Sequence, residues 1–214
     1  MCSSDLAGLY RRYSYAHDRL VANGYVQESN VRYKRLGRGG YVQKVLQFHG
    51  IPVLGLGAGA RTYTNTVDYI VGGSPKPTLA EVGQYIDGAR NDRLAPRAGF
   101  VYDDTERIRK RLALDLFDLD LAELDRYGYQ DRAHLFEPVL EAAEELELLV
   151  RLPSRRVQLT AKGFMYRDIL SWMFFSDQVV ERDREFYQAL HEHNPRALVQ
   201  LGIPSFVSGL AVAA

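Results

Sequence analysis

The sequence holds a single cysteine, Cys2, in 214 residues. A disulfide takes two thiols, a structural zinc site usually takes several, and a four-iron–four-sulfur cluster takes at least three, so the chain's own thiols can build none of these. Long hydrophobic runs are also missing. The longest apolar stretch, IPVLGLGAGA from Ile51 to Ala60, is short, is broken by glycines and falls well below the roughly 18 residues that span a bilayer. No charged start followed by an apolar region marks a signal peptide, so a cytoplasmic protein without a membrane partner is the expectation. An excess of either charge is absent too. Twenty-seven Lys and Arg face 27 Asp and Glu, for a formal net charge of zero. There is no overall basic field to draw in nucleic acid. What is there is the balance of a globular chain, with 46% apolar and 25% charged residues and enough length for a real core.

The opening MCSSDL back-translates to the end of a common sequencing-library adaptor. Residues 1–6, Cys2 among them, are read as adaptor-derived, the alternative being an ordinary loose terminus. From Ala7 the pattern is helical, with Leu9, Tyr10, Tyr13, Ala16 and Leu20 recurring at helical spacing until Asn23-Gly24 stops them. Tyr25-Val26 opens an extended stretch, so helix and strand alternate as in a parallel α/β structure. GRGG (Gly37–Gly40) is a loop, Ile51–Leu56 is an apolar segment, and Thr62–Ile70 is β-prone. Gly72–Pro77 is a breaker cluster.

From Thr78 the chain turns helical, first with Leu79, Val82, Tyr85 and Ile86. Asp103-Asp104-Thr105 caps a helix carrying Ile108, Leu112 and Leu116. A short turn from Leu121 to Tyr127 stops at Gly128. A helix through Phe136, Val139, Leu140, Ala143 and Leu146 follows. A hairpin runs over Leu148–Leu152 and Val157–Leu159. Thr160 then caps a final helix with Phe164, Ile169, Trp172, Met173 and Phe175. Helix, helix, hairpin and helix in this order resemble a winged-helix arrangement. Five glutamates on its central helix (Glu137, Glu141, Glu144, Glu145 and Glu147) argue against its insertion into a DNA groove.

The run Gly55-Leu-Gly-Ala-Gly-Ala60 is the most suggestive element. Without Cβ atoms, its backbone can approach a ligand closely. A dinucleotide site would need a helix to follow; Arg61-Thr-Tyr-Thr is β-prone instead, which excludes that reading. A cofactor-facing loop and a tight strand end both remain. Three other features read as structural. The basic stretch Arg107–Arg111 within ERIRKR is a solvated helix face, His191-Glu-His193 an exposed helix end, and Trp172 core.

From about Tyr10 to Val179 the sequence resembles the C-terminal part of the oxygen-independent coproporphyrinogen III oxidase-like radical-SAM proteins. The signposts are ordered: Gly24-Tyr25 after a helix; Gln43; LGLGAGAR (Leu54–Arg61), similar to the family's L-G-x-G-x-x-A turn; Asp103–Arg109 at a helix start; and VQLTAKG (Val157–Gly163), similar to V-T-x-K-G. The resemblance implies an α/β fold, the remnant of a partial (β/α) radical-SAM barrel over residues 7–77. A mostly helical, winged-helix-like domain over 78–190 and a tail over 191–214 would follow. It implies a parent oxidoreductase that uses S-adenosylmethionine and a 4Fe-4S cluster, held by a CxxxCxxC motif, to start radical chemistry on a porphyrin-like or other organic small molecule. This chain alone would be inactive and, with its barrel strands missing, poorly stable, with an open parallel edge.

By the same resemblance Gln43 matches an active-site glutamine, whereas Val42 departs from the family's phenylalanine. The turn residues Gly55, Gly57 and Ala60 would let a cofactor approach closely, and the residue after the turn would face a second S-adenosylmethionine. The residue after the turn, an isoleucine in the oxidases, is Arg61 here, which implies a divergent subfamily. Arg61 would grip a substrate propionate or the amino-acid end of S-adenosylmethionine, or else form a surface salt bridge with Asp68 or a neighbouring acid. A different class of function is a complete non-catalytic module that binds haem or a protein.

Overall fold

A computed structural model describes residues 3–29, 31–40, 42–71, 78–94 and 96–193. They form two compact units. One holds α1 (Ser3–Ala22) and α8 (Asp177–His193); the other runs from Tyr25 to Phe174. In α1 the residues Tyr10, Tyr13, His17 and Leu20 lie half-buried along one face, and Gly24 ends the turn in the left-handed region at φ 78°. The cluster Gly72–Pro77 and residues 194–214 of the tail lie outside the described residues, as do the side chains of His191 and His193.

The Tyr25–Phe174 unit begins with a hairpin, β1 (Tyr25–Gln27) against β2 (Tyr33–Arg35), and a short helix α2 (Val42–Phe48). β3 (Arg61–Tyr63), β4 (Val67–Val71) and β5 (Pro96–Val101) form a sheet in that order, with α3 (Leu79–Arg90) between β4 and β5. Thr78 and Glu81 form a reciprocal capping box at the start of α3.

Every strand pair among the described residues is antiparallel. The expectation of parallel α/β pairing, and of an open parallel edge, is corrected accordingly. A parallel pair needs a long crossover, whereas a local turn suffices to fold a strand back beside its neighbour. Tyr25–Gln27 and Val67–Val71 each find their partner a few residues away. Ile51–Leu56 is extended but not a strand; its one ladder contact is Val53 with Tyr63.

The second half is built around α4 (Asp104–Asp115), whose N-cap Asp103 accepts from the Glu106 amide. Ile108, Leu112 and Leu116 are fully buried. β6 (Leu119–Asp120), a 3-10 segment (Leu121–Tyr127), α5 (Tyr129–Arg132) and α6 (Glu137–Glu145) wrap this core. β7 (Leu149–Arg151) and β8 (Arg156–Leu159) pair as a hairpin, in a sheet of order β6-β8-β7. Thr160 caps α7 (Ala161–Trp172).

Trp172 is not core: it is 50% exposed, with Ile169 and Met173 on the same open side. The buried face of α7 is lined by Gly163, Leu170 and Ser171, followed by Phe174. The Ser171 hydroxyl donates to the Ala113 carbonyl at 2.7 Å, so a small polar residue packs where the aromatic pattern pointed elsewhere.

Candidate functional site: the glycine turn and the charged face of the central helix

The chain doubles back sharply before β3. A Cβ on Gly55 would stand 2.4 Å from the Arg61 carbonyl oxygen and 2.6 Å from its carbon. The Gly55 amide donates to the hydroxyl of buried Thr62 at 3.1 Å. Gly59 lies in the left-handed region at φ 72°, and its amide donates to the Val71 carbonyl at 3.0 Å. The turn therefore closes on its own hairpin. Gly55 is glycine because backbone passes over it, with or without a ligand. Gly55→Ala should then destabilise the apo chain by about 1–3 kcal/mol, measured by urea unfolding. Apo stability equal to wild type would return Gly55 to a purely ligand-facing role.

Gly57 differs, because a Cβ there would meet nothing, yet its φ of 116° still excludes side chains. It follows the exposed Leu54 and Leu56. Arg61 begins β3 on an exposed position and takes no part in the ion pairs among the described residues. The structure thus gathers Gly55, Gly57, Ala60 and Arg61 in one turn. Gln43 stands apart, exposed in the first turn of α2.

The salt bridge of Arg61 with Asp68 does not form. Asp68 is held by Lys110 from α4, with both carboxylate oxygens within 2.9 Å of Nζ. Asp68 also accepts from the Tyr102 hydroxyl at 2.8 Å and the Thr64 amide at 3.0 Å. Burial, and then the adjacent carboxylate, hold the Tyr102 phenol far above its ordinary range. Lys110 lies 4.4 Å from the centre of the Tyr102 ring, a cation–π contact.

The basic stretch is consequently no solvated face. Arg107 pairs with Asp104 at 2.8 Å, and Arg109 donates to the Phe174 carbonyl at 3.1 Å. Arg111 is only 4% exposed. Its Nη2 donates to Asp115 and to Glu123, each at 2.8 Å, and its Nη1 to the His49 carbonyl at 3.0 Å. His49 Nδ1 lies 3.1 Å from Asp115 Oδ2. Asp115 is fully buried, and burial pushes its carboxyl up to about 6 against the opposing pull of Arg111 and His49. Opposite charges four apart, Arg111 and Asp115, were the available signal, because both sit beside the apolar stripe and not opposite it. His49, 66 residues upstream of Asp115, gives no such signal.

Between α2 and α4 lies a cavity of about 20 Å³, lined by Phe48, Asn65, Arg107, Lys110 and Arg111 among others. It has room for a water and nothing larger. No group of three His, Cys, Asp or Glu side chains among the described residues could hold a metal ion. With one cysteine in the sequence, the residues present do not fit an iron–sulfur cluster. The exposed Arg61 guanidinium borders the turn, and a Cβ on Gly57 would meet nothing within 4 Å. No helix among the described residues is long and apolar enough to cross a membrane.

Comparison with protein-family models and with curated proteins finds no match. Among solved structures, the chain is similar to coproporphyrinogen III oxidase from Escherichia coli, a radical SAM enzyme, with a TM-score of 0.56 at 16% identity. The match covers 75% of this chain and 39% of that one, so the chain spans well under half of the enzyme's length. Over the matched part the two share a mixed α/β fold.

Proposed function

We propose that this chain is the C-terminal part of a coproporphyrinogen III oxidase-like radical-SAM enzyme of a divergent subfamily. The observation that carries this reading is the shared fold over three quarters of the chain. Residues 7–77, with their antiparallel hairpins, would close off a barrel supplied by the rest of the parent, and residues 78–190 would be its winged-helix-like domain. The exposed apolar side chains of Val42, Ile51, Leu54 and Leu56 support this, since further chain would cover them. The cluster that starts the radical chemistry belongs to that missing part. In the soluble parent this chain's residues bind and orient. The glycine turn lets a ligand approach at Gly57, Arg61 grips a carboxylate in a bidentate pair, and Gln43 offers an amide to the substrate. The substrate is a tetrapyrrole or another organic acid with a carboxylate for Arg61 to hold.

Two measurements test this. Reading the source gene upstream of Ala7 should find CxxxCxxC in the same frame; a natural stop codon there would instead favour a non-catalytic haem- or protein-binding module. In the enzyme that includes that upstream part, Arg61→Ala should lower turnover by more than about tenfold, ~1.4 kcal/mol of transition-state stabilisation. Wild-type kinetics from that variant would remove Arg61 from the site.

A further inference from the structure

We propose that His49 and Asp115 form a one-proton latch, fastening α2 and the segment leading to the glycine turn onto α4 when the pair holds a proton and slackening when it does not. The geometry is a closed set of charges. One guanidinium, Arg111, serves two carboxylates, Asp115 and Glu123, and His49 completes the ring at 3.1 Å from Asp115. With a proton on either His49 or Asp115 the set is neutral. Without it the set carries one net negative charge; the half-exposed Glu123 can carry its share to water, but Asp115 stays ionised and fully buried with Arg111 as its one cation, and burial makes that costly. His49 is partly exposed, so the proton can exchange with solvent.

The neighbouring charges are otherwise engaged. Asp118, which follows α4 and lies near His49, is held by Arg156 of β8 at 2.7 Å. Arg167 of α7 lies over the Phe48 ring and donates to the Leu114 carbonyl at 3.2 Å. Arg107 and Lys110 of α4 are paired with Asp104 and Asp68. None of these can neutralise the pair when its proton leaves.

Burial sets the direction of the response. The Asp115 carboxyl is raised from its ordinary 3.8 to about 6 in the folded chain. A carboxyl raised on folding stabilises the fold fully below about pH 4, and that contribution is lost as pH rises to about 6. The consequence reaches the turn through the chain itself. Arg111 also holds the His49 carbonyl, the Ile51 amide donates to Leu46 at 2.9 Å, and Val53 pairs with Tyr63 of β3. The inference stands on this cluster alone and does not depend on the enzymatic reading.

Hydrogen exchange on the 214-residue chain tests it, with rates corrected for intrinsic chemistry. Protection of residues 42–53 should fall about fivefold or more between about pH 5 and about pH 7, with no matching change in α6. Asp115→Asn keeps the shape and an acceptor for His49 but cannot titrate, so it should hold the acid-level protection at both pH values. His49→Gln leaves the buried carboxyl able to titrate but removes a cation that favours its ionised form, so the fall in protection should move to higher pH; this variant serves if the first does not fold. A flat profile in the wild type, an undiminished slope in folded Asp115→Asn, or an unmoved fall in folded His49→Gln would overturn the latch.

Discussion

Arg111→Ala is expected to destabilise the Tyr25–Phe174 unit by about 3–5 kcal/mol at neutral pH, the range for breaking a buried ion pair from one side. The guanidinium is almost wholly enclosed and meets three acceptors: Asp115, Glu123 and the His49 carbonyl. Glu123 is half exposed and can turn to water, so it contributes little to the loss. Asp115 cannot; at neutral pH it must stay charged and unpaired or take up a proton, and either costs free energy. The double variant Arg111→Met, Asp115→Leu removes both charges and should recover most of the loss, to within about 2 kcal/mol of wild type, because apolar side chains of similar size replace buried ion pairs well. The penalty of the single variant should also shrink in mild acid, since Asp115 without its guanidinium takes up a proton more readily. Urea unfolding at two pH values reads this out. The single tryptophan, Trp172, lies in this unit and supplies the fluorescence signal. Equal losses in the single and double variants would show that Arg111 and Asp115 do not act as a pair.

Local chemistry made the elements legible, and distance in sequence hid the rest. Thr78, Asp103 and Thr160 announce α3, α4 and α7 because each supplies a side-chain acceptor to an orphan amide three residues on. Gly128 marks the end of the 3-10 segment through its left-handed backbone. Strand direction is not written locally, so Tyr25–Gln27 looked like a parallel strand until its hairpin partner was visible. The aromatic pattern of α7 pointed to Trp172 as core, whereas Gly163 and Ser171 permit close approach and decide the buried face. At the site, the glycine turn was recognisable as a turn. Its purpose was not, because the backbone that fills the space beside Gly55 belongs to Arg61, six residues later. The basic helix departs from its sequence pattern for a related reason. A charge count cannot tell a solvated face from one whose partners, Asp68 and His49, arrive from other elements.

Gly163→Ala should cost this unit about 2–4 kcal/mol, above the usual middle of the overpacking range. Alanine is intrinsically the better helix former by about 1 kcal/mol, so helix propensity alone predicts a gain. Sterics oppose it. A Cβ on Gly163 would lie 1.7 Å from the Leu148 carbonyl oxygen and 2.8 Å from its carbon. That carbonyl cannot swing aside freely, because it accepts from the Thr160 amide at 3.0 Å. The residues around it are tied down as well. The Thr160 hydroxyl donates to the Glu147 carbonyl at 2.7 Å, Lys162 donates to Leu146 at 2.7 Å, and the Gly163 amide donates back to the Thr160 hydroxyl oxygen at 2.9 Å. The start of α7 therefore satisfies the carbonyls left open at the end of α6, which gives Thr160, Lys162 and Gly163 their structural roles here. Accommodating a methyl group means lifting α7 off β7, and with it Leu170, Phe174 and the Ser171–Ala113 hydrogen bond. Gly83, inside α3, is the control, because a Cβ there meets nothing within 4 Å. Gly83→Ala should be neutral to stabilising by up to about 1 kcal/mol. Measured side by side by Trp172 fluorescence in urea, the two substitutions should have opposite signs; a Gly163→Ala chain as stable as wild type would mean that α7 is not seated against Leu148.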